Sequence, residues 1–85
     1  MPAKGQFKYV YILVSETDPS RHYTGTTDDL ADRLSHHNSG ASPHTAKFRP
    51  WRLETAVAFM DSAKALAFES YLKTGSGREF ARRHF

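Results

Sequence analysis

The sequence predicts an α/β fold of the α+β kind: a small three-stranded, mostly antiparallel sheet flanked by helices, in the order β-β-α-β-α-α. Three observations lead there. Apolar residues alternate with period two from Lys8 to Val14 and again over Trp51 to Met60. The turn-rich "SETDPS" joins the first of these runs to a second short one, the signature of a hairpin. Two other stretches, 28–38 and 62–74, carry capping residues at one end and stop signals at the other.

The first strand, Lys8 to Val14, sets Tyr9, Tyr11 and Leu13 on one face and Val10, Ile12 and Val14 on the other. Apolar residues on both faces mark a central strand covered on both sides. Arg21 to Thr26 is the returning strand. A pairing of Ser15 with Arg21 puts Leu13 opposite Tyr23 and Tyr11 opposite Gly25, so that Tyr11 and Tyr23 become diagonal neighbours. Gly25 then leaves a gap over the backbone where another group can approach closely.

Thr27 or Asp28 can cap the first helix, which ends at "NSG" (38–40). Leu30, Leu34 and His37 share one stripe, with Arg33 at its edge. "ASPHTAKFRP" (41–50) reads as a polar surface connection with two prolines. The third strand places Trp51, Leu53, Thr55, Val57 and Phe59 on one face. A second helix, capped by Asp61 or Ser62, stops at Gly75, and "SGREFARRHF" makes a short basic closing helix.

At 85 residues the chain is one domain, 1–85, with no room for a second core. Such a domain buries only about 60–70% of its unfolded surface, so each large apolar residue counts. The chain has no cysteine, which excludes disulfides and cysteine-held zinc and fits a reducing, cytoplasmic setting. No apolar run approaches the roughly 20 residues of a membrane span, and "MPAKGQFK" has no apolar signal-peptide core. The net charge is +3, unevenly spread: acids crowd between Glu16 and Asp32, while Lys47, Arg49 and Arg52, then Arg78, Arg82 and Arg83, form basic patches suited to a polyanion.

Glu69 is the sharpest anomaly, because Ala65, Leu66 and Leu72 surround it on its helix. It is either half of an ion pair with Lys73 at i, i+4 or a hard oxygen ligand for Mg2+ or Mn2+. Arg33 either pairs with Asp29 or Asp32, or joins His37 in an anion site where guanidinium grips phosphate and imidazole handles a proton. Tyr9, Tyr11 and Tyr23 are either packing residues or phenols with a chemical task. "TGSGR" (74–78) reads as a helix stop rather than a phosphate loop.

"VYIL", "YTGTTDDLADRLSHHNSG" and a helix containing "AFESYLK" occur in that order, and together they resemble the GIY-YIG nuclease family in its small stand-alone form. The likeness runs from Lys8 to Arg83 and is most specific from Tyr23 to Asn38. It implies that Tyr11 and Tyr23 are the motif tyrosines, Gly25 the motif glycine, Arg33 the catalytic arginine, His37 the helix histidine and Glu69 the metal-binding glutamate. Val10 and Thr24 depart from the motif at positions without expected chemistry. His44 is the candidate for a further polar group after the first helix.

What the resemblance implies is a metal-dependent endonuclease acting on nucleic acid, DNA ahead of RNA, in repair or recombination. Tyr11 would take a proton from the attacking water, relayed through His37 or Tyr23, while Arg33 steadies the phosphoryl oxygens and one Mg2+ or Mn2+ sits on Glu69. Gly25, His44, Lys47, Arg49, Lys73 and Arg78 would meet the substrate. A protein partner could supply targeting, and no membrane is implied. The rival reading is a non-catalytic nucleic-acid-binding module within a larger assembly, which the basic residues support equally well.

Overall fold

The structure is a computed structural model that describes residues 6–85. Its three strands are β1 (Lys8–Ser15), β2 (His22–Thr27) and β3 (Trp51–Phe59), all antiparallel in the order β2-β1-β3. β1 is therefore the central strand its two apolar faces called for, and Val10 to Ser15 are all buried. The register of β1 with β2 is the expected one: Leu13 opposes Tyr23, Tyr11 opposes Gly25, and Ser15 N–H donates to Arg21 O at 3.0 Å.

Helices cover both faces. α1 (Leu30–Asn38) lies against Tyr11, Leu13 and Trp51 through Leu30 and Leu34. α3 (Ser62–Leu72) and α4 (Gly75–His84) cover Val10 and Ile12 with Ala65, Leu72, Phe68 and Phe80. Each fully buried Val, Ile or Leu of β1 contributes about 1.5–3 kcal/mol of apolar transfer, so the middle strand anchors both layers.

Four details differ from the sequence expectation. The cap of α1 is Asp29, whose carboxylate accepts from Asp32 N–H at 3.1 Å, while Thr27 instead exchanges hydrogen bonds with the Asp29 backbone. The polar connection contains a one-turn helix, α2 (Pro43–Ala46), which begins at a proline that needs no N–H partner there. β3 does not keep one face: Leu53 pairs with Leu13 but Thr55 with Ile12, so Glu54 is an extra residue. That bulge flips the alternation, leaving Trp51 with the α1-side core and Phe59 with the α3-side core.

The second helix, finally, ends at Leu72 rather than at Gly75, which already belongs to α4. Thr74 makes the corner, donating to Tyr71 O and accepting from Gly77 N–H. A Cβ at Gly77 would overlap the Tyr71 carbonyl, so this corner needs a glycine.

Candidate active site

The hairpin and α1 build the centre of the site. Tyr11 Oη and His37 Nε2 share a buried hydrogen bond of 3.0 Å. The Tyr23 ring lies 4.7 Å from the His37 ring and 6.3 Å from that of Tyr11, centroid to centroid. Local sequence explains the convergence. The register sets Tyr11 and Tyr23 diagonally across the strand pair, and the stripe of α1 that buries Leu30 and Leu34 turns His37 inward.

Gly25 plays a different part from the one expected. A Cβ there would stand 2.6 Å from Tyr11 Oη and 2.8 Å from its Cζ. The group that approaches the glycine is thus the Tyr11 phenol itself, which occupies the gap over the β2 backbone. Gly25 seats a catalytic candidate rather than opening a space for substrate.

A third polar residue completes the chain of contacts. His37 Nδ1 lies 2.8 Å from Thr45 Oγ1, and Thr45 is fully buried. Thr45 is held in turn by Trp51, whose indole N–H donates to its carbonyl at 2.8 Å. Asn38 clamps the start of β3 by accepting from Trp51 N–H at 2.6 Å and donating to Trp51 O at 2.9 Å. His44, the sequence candidate for a further polar group after the first helix, is exposed, and its neighbour Thr45 is the one that meets His37. Neighbours in a helical turn point about 100° apart, so only one of the pair can face His37. Thr45 carried no sequence signal beyond its place after the proline.

The electrostatics follow from burial. Removal from water pushes the Tyr11 phenol up to about 12, with the nearby Tyr23 and Glu69 adding to the rise and Arg33 opposing it. Burial, followed by the positive charges of Arg33 and His36, holds His37 below the ordinary imidazole value. Both groups are therefore neutral near pH 7. Among the described residues Arg33 Nε is buried and finds no hydrogen-bond partner. Such an atom costs stability until an acceptor arrives, and it fits an incoming phosphate oxygen better than a finished surface ion pair.

Glu69 stands on α3 with its side chain 18% exposed, bound by Lys73 Nζ at 3.1 Å. The ion pair foreseen for these residues is present. Ala65 and Leu72 beside Glu69 are buried, whereas Leu66 is exposed. A largely desolvated carboxylate that already holds a cation suits a hard divalent ion that keeps most of its waters. Among the described residues no three His, Cys, Asp or Glu gather into a cage, and Glu69 is the candidate carboxylate for a divalent ion. Lys47 lies over the Phe48 ring, Arg49 against Gly40 at the end of α1, and Arg78 on α4, all apart from the phenol–imidazole cluster.

Comparison with known proteins agrees in extent with this description. A family model of the GIY-YIG catalytic domain matches residues 7–82. The chain is 43% identical over 70 residues to structure-specific endonuclease subunit SLX1 of Scheffersomyces stipitis, covering 74% of this chain and 21% of that protein. It is 41% identical over 68 residues to the slx1 subunit of Schizosaccharomyces japonicus, covering 74% and 25%. The chain thus spans a quarter or less of the length of these curated relatives.

Proposed function

The chain belongs to the GIY-YIG catalytic-domain family, and from that premise we propose that it is an endonuclease that hydrolyses phosphodiester bonds in branched DNA during repair or recombination. One observation carries the reading: a buried phenol–imidazole pair faces an arginine whose Nε lacks a partner. A mere binding surface has no use for either. The names of the relatives support the substrate geometry, and the word subunit in them supports a protein partner for targeting.

In the proposed reaction a water oxygen bonds to phosphorus while the bond from phosphorus to the 3′ oxygen breaks. Tyr11 takes a proton of the water as its own phenolic proton passes along the hydrogen bond to His37 Nε2, and the leaving oxygen takes one from solvent. The Arg33 guanidinium neutralises charge growing on the non-bridging oxygens, the largest stabilising effect in such a site. Glu69 would hold the Mg2+ or Mn2+, which supplies positive charge against the leaving oxygen when bound.

Proton counting refines the part of His37. Three protons, on Tyr11, His37 and Thr45, share two links. One hydroxyl proton is therefore left over in either tautomer: that of Tyr11 if Nε2 carries the imidazole proton, that of Thr45 if Nδ1 does. Proton transfer along the pair requires the second, in which Nδ1–H donates to Thr45 Oγ1 and the Tyr11 hydroxyl donates to Nε2. In this tautomer neutral His37 receives the Tyr11 proton, the relay through His37 expected from the sequence. Thr45 is a positioning residue.

The test is cleavage of branched, duplex and single-stranded substrates with Mg2+, Mn2+ or excess EDTA. Cleavage of branched DNA that EDTA abolishes is expected. A wild-type protein that binds DNA and cuts none of the panel would favour the binding-module reading, and cleavage undiminished in EDTA would remove the metal from the mechanism.

A further inference from the structure

A second feature lies on the sheet face opposite Tyr11 and His37. A groove of about 870 Å3 runs between edge strand β2 and α4, floored by Ile12, Leu72 and Ala81. Four permanent cations line it (Arg21, Lys73, Arg78 and Arg82); Arg21 pairs with Asp18 and Lys73 with Glu69, and the carboxylate in the lining is Glu54. That carboxylate is already taken by His22 at 3.3 Å. Arg78, Arg82 and Phe85 follow one another at i, i+4 and i+7, so one stripe of α4 forms the wall. Arg82 is held by Glu79, which Arg83 also neutralises. Among the described residues Arg78 makes no side-chain hydrogen bond or ion pair. Phe85, 40% exposed, packs one edge on Phe80 and leaves ring surface toward the groove.

We propose that this groove binds a single-stranded segment of nucleic acid continuous with the strand being cut. The inference rests on the nuclease reading and names the form of its substrate. Charge complementarity selects a polyanion, and cations interleaved with an aromatic ring are the chemistry that holds successive phosphates and stacked bases. The volume is that of a site for one extended ligand, within about 300–1,000 Å3. It has room for a few nucleotides of one strand. Position adds the consequence. Lys73 joins the groove to Glu69, and Tyr23 lines the groove while packing on His37. A strand leaving the reacting phosphate would round the β2 edge to reach the groove, a turn that a flexible single strand makes more readily than a stiff duplex. The preference for branched DNA then comes from the fold itself.

The experiment measures fluorescence anisotropy of a labelled oligothymidylate and of a blunt duplex, in EDTA, over a range of salt, for wild type, Arg78→Gln and Phe85→Leu. Leucine keeps apolar volume against Phe80 while removing the stacking surface. Arg78→Gln should weaken single-strand binding and reduce the magnitude of its log–log salt slope by about 0.7, the value for one phosphate contact. Phe85→Leu should weaken single-strand binding on the order of tenfold with an unchanged slope. Duplex binding should hold for both. Unchanged single-strand binding, equal losses on duplex, or polyglutamate binding as tight as oligothymidylate would each overturn the proposal. The nuclease reading fails separately: if wild type cuts no branched DNA yet the variants lose single-strand binding, the groove stands and the activity falls.

Discussion

Gly25→Ala tests whether the β2 glycine exists to seat Tyr11. The added Cβ would lie 2.6 Å from the phenol oxygen, and ordinary contact begins at 3.4 Å, so the ring must retreat by about 0.8 Å. Tyr23 Cε2, at 3.1 Å from the same point, closes one direction of escape. The Tyr11–His37 bond is already 3.0 Å long, so a retreat of that size breaks or bends it. Overpacking of this kind costs about 1–3 kcal/mol, and each kcal/mol lowers Tm by roughly 4–8 °C in a domain of this size. Misplacing a reacting group by about 1 Å costs on the order of 100-fold in rate. The assay pairs thermal unfolding with single-turnover cleavage of a branched substrate. A fall in kcat at nearly constant KM is expected, since the perturbed group belongs to the reaction rather than to the binding surface. A rise in KM alone would return Gly25 to the role of a substrate gap. Wild-type stability and rate together would refute the seat altogether.

Arg33→Ala should cost about 2.7–4 kcal/mol of transition-state stabilisation, on the order of 10²–10³ in rate, with little loss of fold. Arg33→Lys should rescue poorly because a point charge lacks the bidentate fork, and NMR titration should find the His37 pKa raised in Arg33→Ala once that repulsion is gone. Glu69→Gln should abolish the calorimetric heat of Mg2+ binding together with cleavage, leave DNA binding intact, and change stability by no more than about 0.5 kcal/mol through the lost Lys73 pair. Nitrogen NMR of neutral His37 should find its proton on Nδ1; Thr45→Ser should preserve this and the cleavage rate, whereas Thr45→Val should slow cleavage and weaken the fold by about 1–3 kcal/mol. Tyr11 also gives the fold a pH signature. Its folded value is raised from 10.0 to about 12, so the associated stability is whole below pH 10 and is lost as pH rises from 10 to 12. The loss is on the order of 2.7 kcal/mol, and denaturation of wild type against Tyr11→Phe across that window measures it.

Local chemistry sufficed for much of this protein. Alternation in Lys8–Val14 on both faces made β1 central, whereas the pairing of Tyr11 with Gly25 followed only once Ser15 was taken to pair with Arg21, because strand pairing has a period that one residue can upset. The spacing of Leu30, Leu34 and His37 turned the imidazole inward, since a helix has a fixed pitch. What depends on groups distant in sequence was invisible there. The bulge at Glu54 arises from the two cores that β3 must serve, and alternation alone continued one face past it. Nothing in "SPHTA" distinguishes Thr45 from His44 until α2 folds against α1 and Trp51 caps the Thr45 carbonyl. The gap at Gly25 was legible as a gap, but its occupant was not: only packing brings the phenol over it. Glu69 shows the same division. Its i, i+4 partner Lys73 follows from helix geometry, whereas its influence on Tyr11, on another element of the chain, exists only once the sheet and α3 have met.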